Sequence, residues 1–361
     1  MTVAEPVENP VARASLVVID YADLTSDSAD ITQQIKDAFG PGALGACVVR
    51  GVPDFVAKRH RLLRLASTLA NLPAEAKLRA EDPSTSYLFG WSHGKEVMNG
   101  KPDFAKGSFY NNPVYDTVPQ NNDPEYAKKF PEYAGPNKWV DELPELKDAF
   151  MDLGGLIVNT GALLARHCDR YLSAVHPELP PKFMESAISE STTVKARLLH
   201  YFPVEEAEST SADSWCGEHV DHSILTGLTS AMYVDESDLS NYVEVDALNA
   251  TFNNPRMAEN LQQSGLYIRN RNRDFVKVNI PKDCLAFQIG EAAQVASKGL
   301  LVATPHLVKG AGIPAGSGLV IARNTFAVFM QPDVHHKLTP DQTFDQFTKE
   351  VMARHYVAEG K

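Results

Sequence analysis

The stretch "CGEHVDHSILTGLT", residues 216–229, places a glutamate, two histidines and an aspartate within five positions and then continues into apolar and hydroxyl residues. Such a run is typical of a β-strand. Side chains alternate along a strand, so His219 and Asp221 share one face while Glu218 and His222 lie on the other. A histidine and a carboxylate on one face can bind the same metal ion. The pattern therefore favours His219 and Asp221 as metal ligands.

His306 is the candidate for the third ligand that such a site needs. It lies in the strand-like run "LLVATPHLVKG", within the same strand-rich part of the chain. Two histidines and one carboxylate on one face are typical of non-heme Fe(II) sites, which keep positions open for other ligands. Zinc accepts the same residues. A His-x-Asp pair also occurs by chance, so the metal site needs support from the residues after His306.

An arginine and a hydroxyl residue come next, in "GLVIARNTFAVFMQP", residues 318–332. Arg323 and Thr325 are two positions apart on a predicted strand and share a face. The guanidinium fork and the hydroxyl together suit a carboxylate. A buried arginine requires an anionic partner, which is either a bound ligand or a carboxylate of the protein itself.

Composition limits the class of protein. The chain has 361 residues, of which 43% are apolar and 22% charged, with a formal net charge of −12. This predicts one large globular domain with elaborations, or two domains. The acidic balance argues against nucleic acid and membranes as partners. The four cysteines form no CxxC pair and the start resembles no signal peptide. Reduced cysteines in a cytoplasmic protein are therefore expected, and we expect this protein to be a monomer or a homodimer.

The distribution of secondary-structure signals predicts two different halves. Helices are expected over residues 31–39, 54–71 and 145–171, and a segment rich in proline, asparagine, glycine and aromatics covers 81–144. From residue 192, short β-branched and aromatic runs alternate with turns, as in an antiparallel sandwich or barrel.

A last helix is expected near the carboxyl end. Thr339 fits the N-cap position, Pro340 the first helical position and Gln342 the third. This spacing predicts a capping box.

The order of these motifs resembles the Fe(II)- and 2-oxoglutarate-dependent oxygenases of the isopenicillin N synthase-like type over most of the chain. "HVDHSILTGLT" is similar to the family's His-x-Asp strand. "FVKVNIPKDCLAFQIGEAAQVASKGLLVATPHLV" is similar to the stretch that ends in its distal histidine. "RNTFAVFMQP" is similar to the strand that binds the far carboxylate of 2-oxoglutarate.

The resemblance implies an α+β fold with a double-stranded β-helix (jelly-roll) core, flanking helices and a helical N-terminal half. It divides the chain into an N-terminal helical region with a substrate-side segment at 1–190, the oxygenase core at 191–335 and a C-terminal helix at 336–361.

The resemblance also implies an enzyme that uses Fe(II), 2-oxoglutarate and O2. The implied metal ligands are His219, Asp221 and His306. The implied cosubstrate-binding residues are Arg323, Thr325 and His200. Thr325 replaces the usual serine and keeps its hydroxyl. The tyrosine that commonly contacts 2-oxoglutarate corresponds to Phe202, which has no hydroxyl.

The substrate is expected to be a small, acidic, amino-acid-derived metabolite. Its C–H bond would undergo hydroxylation, desaturation or ring closure such as kainoid-type cyclisation. The candidate substrate-binding residues are Tyr87, Tyr110, Asn111, Arg197 and Arg269. Loop packing is the alternative role of the aromatic residues, and a solvated turn charge is the alternative role of Arg269. The long segments 236–263 and 309–318 either cover the site or mediate contacts between subunits.

Two other functions fit the same sequence. One is an Fe(II) oxidase like isopenicillin N synthase, which uses no 2-oxoglutarate, and the replacement at Phe202 keeps it open. The other is a non-catalytic binding protein on the same fold, against which the intact set of ligands argues. Turnover that requires 2-oxoglutarate and yields succinate would exclude the first, and a lack of Fe(II) uptake would support the second.

Overall fold

The strand Ile321–Met330 organises the larger of two main β-sheets. Its ten residues are mostly β-branched, aromatic or small, and nine of them are buried. The computed structural model describes residues 12–98, 101–205, 216–246 and 254–358. Within them, this strand pairs antiparallel with three neighbours, at Lys195–Tyr201, Leu225–Thr229 and Met232–Asp235. A strand bonded on both sides and covered on both faces is buried along its length, and here that burial includes the polar residues Arg323, Asn324 and Thr325.

The larger sheet has ten strands. In spatial order they are β2 (Val17–Asp20), β3 (Ala46–Arg50), β16 (Cys284–Ile289), β11 (Leu225–Thr229), β19 (Ile321–Met330), β8 (Lys195–Tyr201), β7 (Lys106–Asn111) and β4 (Gly90–His93), with β12 (Met232–Asp235) joining β19 to β13 (Val243–Val245). The smaller sheet has five strands, in the order β1 (Arg13–Ala14), β15 (Phe275–Val278), β14 (Gly265–Arg269), β17 (His306–Lys309) and β10 (Cys216–His219). Three short hairpins or bridges complete the strands: β5 (Val97–Met98) with β6 (Lys101–Pro102), β9 (Val204–Glu205) with β18 (Gly312–Ile313), and β20 (Lys337–Thr339) with β21 (Gln342–Thr343).

The two main sheets pack face to face around a partly open interior. Ile268 and Val278 of the smaller sheet share an apolar cluster with Ala46 of the larger one, and Val308 of the smaller sheet packs against a cluster that includes Leu199 of the larger one. The predicted α+β fold with a double-stranded β-helix core is therefore confirmed.

Helices pack around the two sheets. They are α1 (Tyr21–Thr25), α2 (Thr32–Phe39), α3 (Phe55–Ala70), α4 (Ala74–Arg79), α5 (Pro124–Lys129), α6 (Pro131–Ala134), α7 (Glu145–Val175), α8 (Phe183–Ser189), α9 (Pro255–Gln263), α10 (Glu291–Ala296) and α11 (Phe344–Ala358). The three helices predicted at 31–39, 54–71 and 145–171 correspond to α2, α3 and α7.

Helix α7 is the central helix of the main core. Two glycines allow its close approach to the larger sheet: a Cβ on Gly161 would lie 2.3 Å from Met330 Sδ, and one on Gly227 would lie 2.3 Å from Ile157 Cγ2. The helix is long and apolar enough to cross a membrane by length and composition, but 56% of its most apolar window is buried inside the protein. This burial is typical of a core helix.

The N-terminal half is less helical than the sequence predicts. Residues before 190 contribute β2, β3, β4 and β7 to the larger sheet, where β7 pairs with β8 and β3 with β16. The predicted boundary at residue 190 therefore does not separate a helical unit from a sheet. Short runs such as "GACVVRGVP" identify β3, but its pairing with a strand about 240 residues away depends on tertiary contacts.

The C-terminal helix begins later than predicted. Residues 337–343 form the β20–β21 hairpin, and α11 begins at Phe344. The capping box lies at Thr343 and Gln346: the Thr343 N–H donates to Gln346 Oε1 at 2.8 Å, and the Gln346 N–H donates to Thr343 Oγ1 at 3.4 Å. The sequence "TPDQTFDQ" contains the pattern twice. The second copy caps the helix because the buried residues Phe344 and Phe347 lie directly beside it in the sequence.

Candidate active site

The two histidines of the predicted triad are direct cross-strand partners. His219 ends β10 and His306 begins β17, and the antiparallel register places them opposite each other. Their ring centroids are 4.3 Å apart. Asp221 Oδ1 lies 3.7 Å from His219 Nε2 and 3.9 Å from His306 Nε2. One ligand atom from each residue lies within 4.8 Å of the others, so one metal ion can contact all three.

Backbone carbonyls fix the orientation of both rings. Nδ1–H of His219 donates to Gly217 O at 2.8 Å, and Nδ1–H of His306 donates to Thr304 O at 3.2 Å. Gln288 Nε2 lies 2.7 Å from His306 Nδ1, while the buried Gln288 Oε1 has no partner among the described residues. A half-turn of this amide would let its oxygen accept the same proton. In each ring, the hydrogen bond at Nδ1 leaves the lone pair of Nε2 directed at the shared site.

The electrostatics of the triad suit a cation. Burial raises the pKa of Asp221, but His306 and His219 outweigh it and hold that pKa below its usual value. Burial lowers the pKa of His306, and His219 lowers it further, to about 4. Burial also opposes the charge on His219, yet Cys216 and Asp221 raise its pKa to about 9. The site therefore combines an ionised carboxylate, a neutral imidazole and a positive charge that a metal ion can replace.

The residues fit a divalent transition metal with open coordination positions. Both nitrogen donors and the carboxylate face a cavity of about 210 Å³ between the two sheets. A set of two histidines and one carboxylate on one side is the donor set of Fe(II) oxygenases, although zinc accepts it too. Glu218 and His222 do not contribute. Glu218 binds Arg269 on the outer surface, and His222 stacks on Phe344 at 5.6 Å.

Arg323 and Thr325 line the same cavity from β19. Both are buried, and strand alternation directs both side chains inward. The Arg323 guanidinium carbon lies 4.8 Å from the centre of the Tyr201 ring. Tyr233 is the cross-strand partner of Arg323 on β12, as Tyr201 is on β8. The arginine is thus held between two tyrosines that also line the cavity.

The structure does not bring His200 into the cavity. On β8 the side chains of Arg197, Leu199 and Tyr201 line it, whereas His200 lies on the opposite face. There its Nδ1 is 2.8 Å from Asn324 Oδ1. Phe202 also lies outside, 4.7 Å from the His200 ring. The physical reason is the two-residue period of a strand. Counting that period from Arg197 identifies Tyr201, which the sequence analysis missed, as the tyrosine of the site.

Arg197 is the candidate substrate-binding residue that reaches the cavity. Its Nη2 donates to Glu96 Oε1 at 2.5 Å and to Ser108 Oγ at 2.7 Å, and its Nε donates to Ser108 Oγ at 3.0 Å. Its Nη1 has no partner among the described residues. Tyr110 lies beneath it, 5.0 Å from the guanidinium carbon, and donates to Glu96 at 3.0 Å. Tyr110 therefore positions Arg197 and does not line the cavity.

The other candidate substrate-binding residues have structural contacts elsewhere. Asn111 is fully buried and pairs with the backbone of Lys138 at 2.7 and 3.0 Å. The Tyr87 ring lies 4.9 Å from Lys95 Nζ, away from the cavity. Arg269 makes two 2.6 Å hydrogen bonds to Glu218 on the outer face of the smaller sheet. Arg269 lies at a hairpin as predicted, whereas Asn111 ends the strand β7 inside the segment that the sequence predicts to be an irregular cover.

Part of the 236–263 segment covers the cavity. Val245 and Leu261 line it, and Ser264 comes directly after the segment. Residues 247–253 of this segment lie outside the described residues. In the 309–318 segment, Ala311 and Ile313 pack with Leu261 in a small apolar cluster. Asn260 Nδ2 donates to Gly312 O at 2.6 Å and joins the two segments.

Comparison with known proteins identifies the fold. No family model and no curated protein matches the sequence. Solved structures do match. A full-length protein of Neurospora crassa, in complex with alpha-KG and thymine, has 14% identity and a TM-score of 0.64 over 93% of this chain and 96% of its own. JOX2, in complex with 2OG, Fe and JA, has 16% identity and a TM-score of 0.60 over 96% and 87%.

A third match is the dioxygenase for auxin oxidation 1 from Arabidopsis thaliana, as its 2-oxoglutarate binary complex. It has 17% identity and a TM-score of 0.53 over 88% of this chain and 92% of its own. The shared fold extends over nearly the whole length of each of these proteins. The chain therefore has the fold of the Fe(II)- and 2-oxoglutarate-dependent oxygenases.

Proposed function

We propose that this protein is an Fe(II)- and 2-oxoglutarate-dependent oxygenase that oxidises an unactivated C–H bond of a small acidic metabolite. The observation that carries the proposal is the presence of two complementary sets of groups in one cavity. His219, Asp221 and His306 can bind one metal ion, and Arg323 with Thr325 can bind a carboxylate. Structures of the same fold in complex with 2-oxoglutarate support the choice of cosubstrate.

The residues of the chain have separate tasks in this function. His219, Asp221 and His306 would hold Fe(II). Arg323 and Thr325 would bind the far carboxylate of 2-oxoglutarate through charge-assisted hydrogen bonds. When bound, the iron, 2-oxoglutarate and O2 supply the oxidant, with release of succinate and carbon dioxide.

The remaining walls exclude water and position the target C–H bond. Apolar side chains from both sheets line the cavity: Leu199, Leu228, Leu266, Val308 and Phe329. A cavity lining that excludes water protects a reactive centre from side reactions with water. Positioning of the substrate against such a wall converts the oxidation into an effectively unimolecular step.

Arg197 supports an acidic substrate. Its hydrogen bonds to Glu96 and Ser108 hold the guanidinium in place, and the remaining Nη1 is available to a carboxylate in the cavity. The amino-acid origin of the substrate rests on the sequence resemblance alone. Analysis of the product would decide between hydroxylation, desaturation and ring closure, including a kainoid-type cyclisation.

The test of the cofactors is anaerobic titration of the purified protein with Fe(II) and 2-oxoglutarate while the visible charge-transfer band of the chelate is recorded. We expect a band that His219→Ala abolishes and Arg323→Ala weakens. Two matched controls should keep it: His222→Ala, because His222 stacks on Phe344, and Arg269→Ala, because Arg269 binds Glu218 on the surface. Iron uptake without a band would favour an oxidase that uses no 2-oxoglutarate. No iron uptake would favour a binding protein.

The test of the substrate class is a screen of small carboxylic acids for substrate-dependent succinate formation. Each active acid is compared with its neutral amide, in the wild type and in Arg197→Gln. We expect the variant to raise KM for the acid by about tenfold or more, as for a lost hydrogen bond to a charged group, with less effect on the amide. Equal effects on both compounds would contradict a role for Arg197 in carboxylate binding.

A further inference from the structure

A second buried cation lies at the Arg323 end of the cavity. Lys277 on β15 is 7% exposed and lines the cavity with Arg323. Its Nζ donates to the carbonyl oxygen of Gln262, which is the last residue but one of the 236–263 segment that covers the cavity. An ammonium group has three donors, so two remain for other partners. Lys277 was not among the residues singled out in the sequence, because nothing in "FVKVNI" distinguishes it from an ordinary strand lysine.

Lys277 has no anionic partner within the parts of the chain that the structure describes. Burial lowers the pKa of Lys277, and the neighbouring charges of Arg13 and Arg323 lower it further, to about 8. A buried cation without a counter-ion is costly, and a second cation beside it increases the cost. An anion bound between them would remove this cost. The arrangement is therefore typical of a ligand site and not of a structural ion pair.

The surroundings of Lys277 include Tyr233, whose strand pairs with the strand that carries Arg323. Tyr233, the cross-strand partner of Arg323, donates to or accepts from Ser264 Oγ at 2.6 Å. Gly265 is the next residue after Ser264. A Cβ on this glycine would lie 3.8 Å from Lys277 Cε and 3.9 Å from Tyr233 Oη. Lys277 and Tyr233 therefore border the same point, with no side chain between them.

We propose that Lys277 is a second cationic anchor for the far carboxylate of 2-oxoglutarate, which it shares with Arg323. This proposal rests on the proposed function. Two cations at one end of the cavity discriminate a dicarboxylic 2-oxo acid from a monocarboxylic one, because the latter would leave the Lys277 ammonium buried without an anion. Lys277 is thus a specificity-determining residue of the cosubstrate site.

The test compares two 2-oxo acids of equal chain length, 2-oxoglutarate and 2-oxopentanoate, which lacks the second carboxylate. Dissociation constants are measured on the anaerobic Fe(II) protein from the charge-transfer band, so no turnover is needed. The variants are Lys277→Met, which removes the charge and keeps an unbranched side chain one atom shorter, and Lys277→Arg, which keeps the charge. Lys282→Met is the matched control, because Lys282 lines the outer part of the cavity but is half exposed and paired with Glu244 at 2.8 Å.

We expect Lys277→Met to raise the dissociation constant of 2-oxoglutarate by about tenfold or more, as for loss of a charge-assisted hydrogen bond. The dissociation constant of 2-oxopentanoate should stay within about twofold of the wild-type value. Lys277→Arg should retain most of the affinity, and Lys282→Met should match the wild type. Unchanged binding of 2-oxoglutarate to Lys277→Met would overturn the proposal while leaving the oxygenase function intact. An equal loss for both acids, with a lower melting temperature, would reveal a structural role and overturn it as well. If the wild type forms no chelate with 2-oxoglutarate, the proposed function fails, and this proposal fails with it.

Discussion

His200 Nδ1 and Asn324 Oδ1 are 2.8 Å apart on the buried side of β19, opposite the face that carries Arg323 and Thr325. Asn324 extends this contact into the helical layer: its Nδ2 donates to Ser67 Oγ at 2.7 Å and to Leu63 O at 2.9 Å. The strand is therefore attached to α3 at the residue between the two proposed cosubstrate ligands. His200 therefore contacts the strand of Arg323 and Thr325 from the face opposite the cavity and does not line the site.

Replacement of Asn324 by alanine should destabilise the protein and loosen the cosubstrate site. The change removes the hydrogen bonds of Asn324 to Leu63 O and Ser67 Oγ and leaves Nδ1 of the buried His200 without its partner, at a cost of about 2 to 4 kcal/mol in the free energy of unfolding. Denaturant unfolding measures that loss, and the charge-transfer titration measures the affinity for 2-oxoglutarate. Ser67→Ala removes one hydrogen bond of the same network and should have a smaller effect on both. If Asn324→Ala is destabilised but binds 2-oxoglutarate like the wild type, this contact stabilises the protein without supporting the cosubstrate site.

The metal ligands could be predicted from the sequence because strand alternation decides them locally. His219 and Asp221 are two residues apart, and His306 heads another strand-like run. The antiparallel pairing of β10 with β17 then brings the two histidines opposite each other. The same local rule selects Arg323 and Thr325. These residues are predictable because each pair lies within one short element.

Residues whose role depends on side-chain reach could not be predicted in this way. Lys277 reaches the cavity because its strand pairs with β14 and its Nζ donates to Gln262 O, which lies just before that strand. Asn111 and Tyr87 lie in the expected segment, yet their partners Lys138 and Lys95 fix them away from the cavity. Such contacts join positions distant in sequence, and the spacing of residue types contains no information about them.

Gln288→Ala should lower the affinity for Fe(II) without removing any metal ligand. Gln288 lies 2.7 Å from His306 Nδ1 and fixes the ring together with Thr304 O. Loss of such an outer partner typically reduces metal affinity by about 10- to 100-fold. Anaerobic competition with a chromophoric chelator measures the change.

Gln331→Ala is the control for this measurement. Gln331 is also buried, but its Nε2 donates to Thr193 O at 2.7 Å, away from the triad. The Gln331→Ala variant should be less stable than the wild type and should keep the wild-type affinity for Fe(II). Equal iron affinities in the two variants would contradict a role for Gln288 in ring orientation.

The hydroxyl of Thr325 should matter more than its methyl group. Thr325 Oγ1 lies 3.5 Å from Thr229 Oγ1 and 3.4 Å from Thr229 O, so it has only long contacts within the protein and remains available to a ligand. Thr325→Ser keeps the hydroxyl donor, and its affinity for 2-oxoglutarate should lie within about threefold of the wild-type value. Thr325→Val lacks the donor, and its affinity for 2-oxoglutarate should be lower by about tenfold. The charge-transfer titration distinguishes the two. A normal affinity in Thr325→Val would mean that Arg323 binds the carboxylate without the hydroxyl.

Asp169 makes the stability of the helical layer depend on pH. Its Oδ1 and Oδ2 accept the N–H groups of Met184 and Glu185 at 2.9 Å each, in the first turn of α8. Burial outweighs these bonds and raises the pKa of Asp169 from 3.8 to about 6. Between these two pH values the folded protein retains a proton that the unfolded chain has released. The contribution of Asp169 to stability is therefore largest below about pH 4 and decreases as the pH rises through about 6.

Asp169→Asn removes this titration and should change the pH profile in a defined direction. The amide cannot accept both N–H groups, so the variant should be less stable than the wild type at about pH 4. Because only the wild type has a carboxyl group to ionise, the difference in unfolding free energy should then shift in favour of the variant by about 2 to 3 kcal/mol between about pH 4 and about pH 7. Urea unfolding of both proteins across this range measures the shift. A difference that stays constant with pH would mean that Asp169 titrates alike in the folded and unfolded chains.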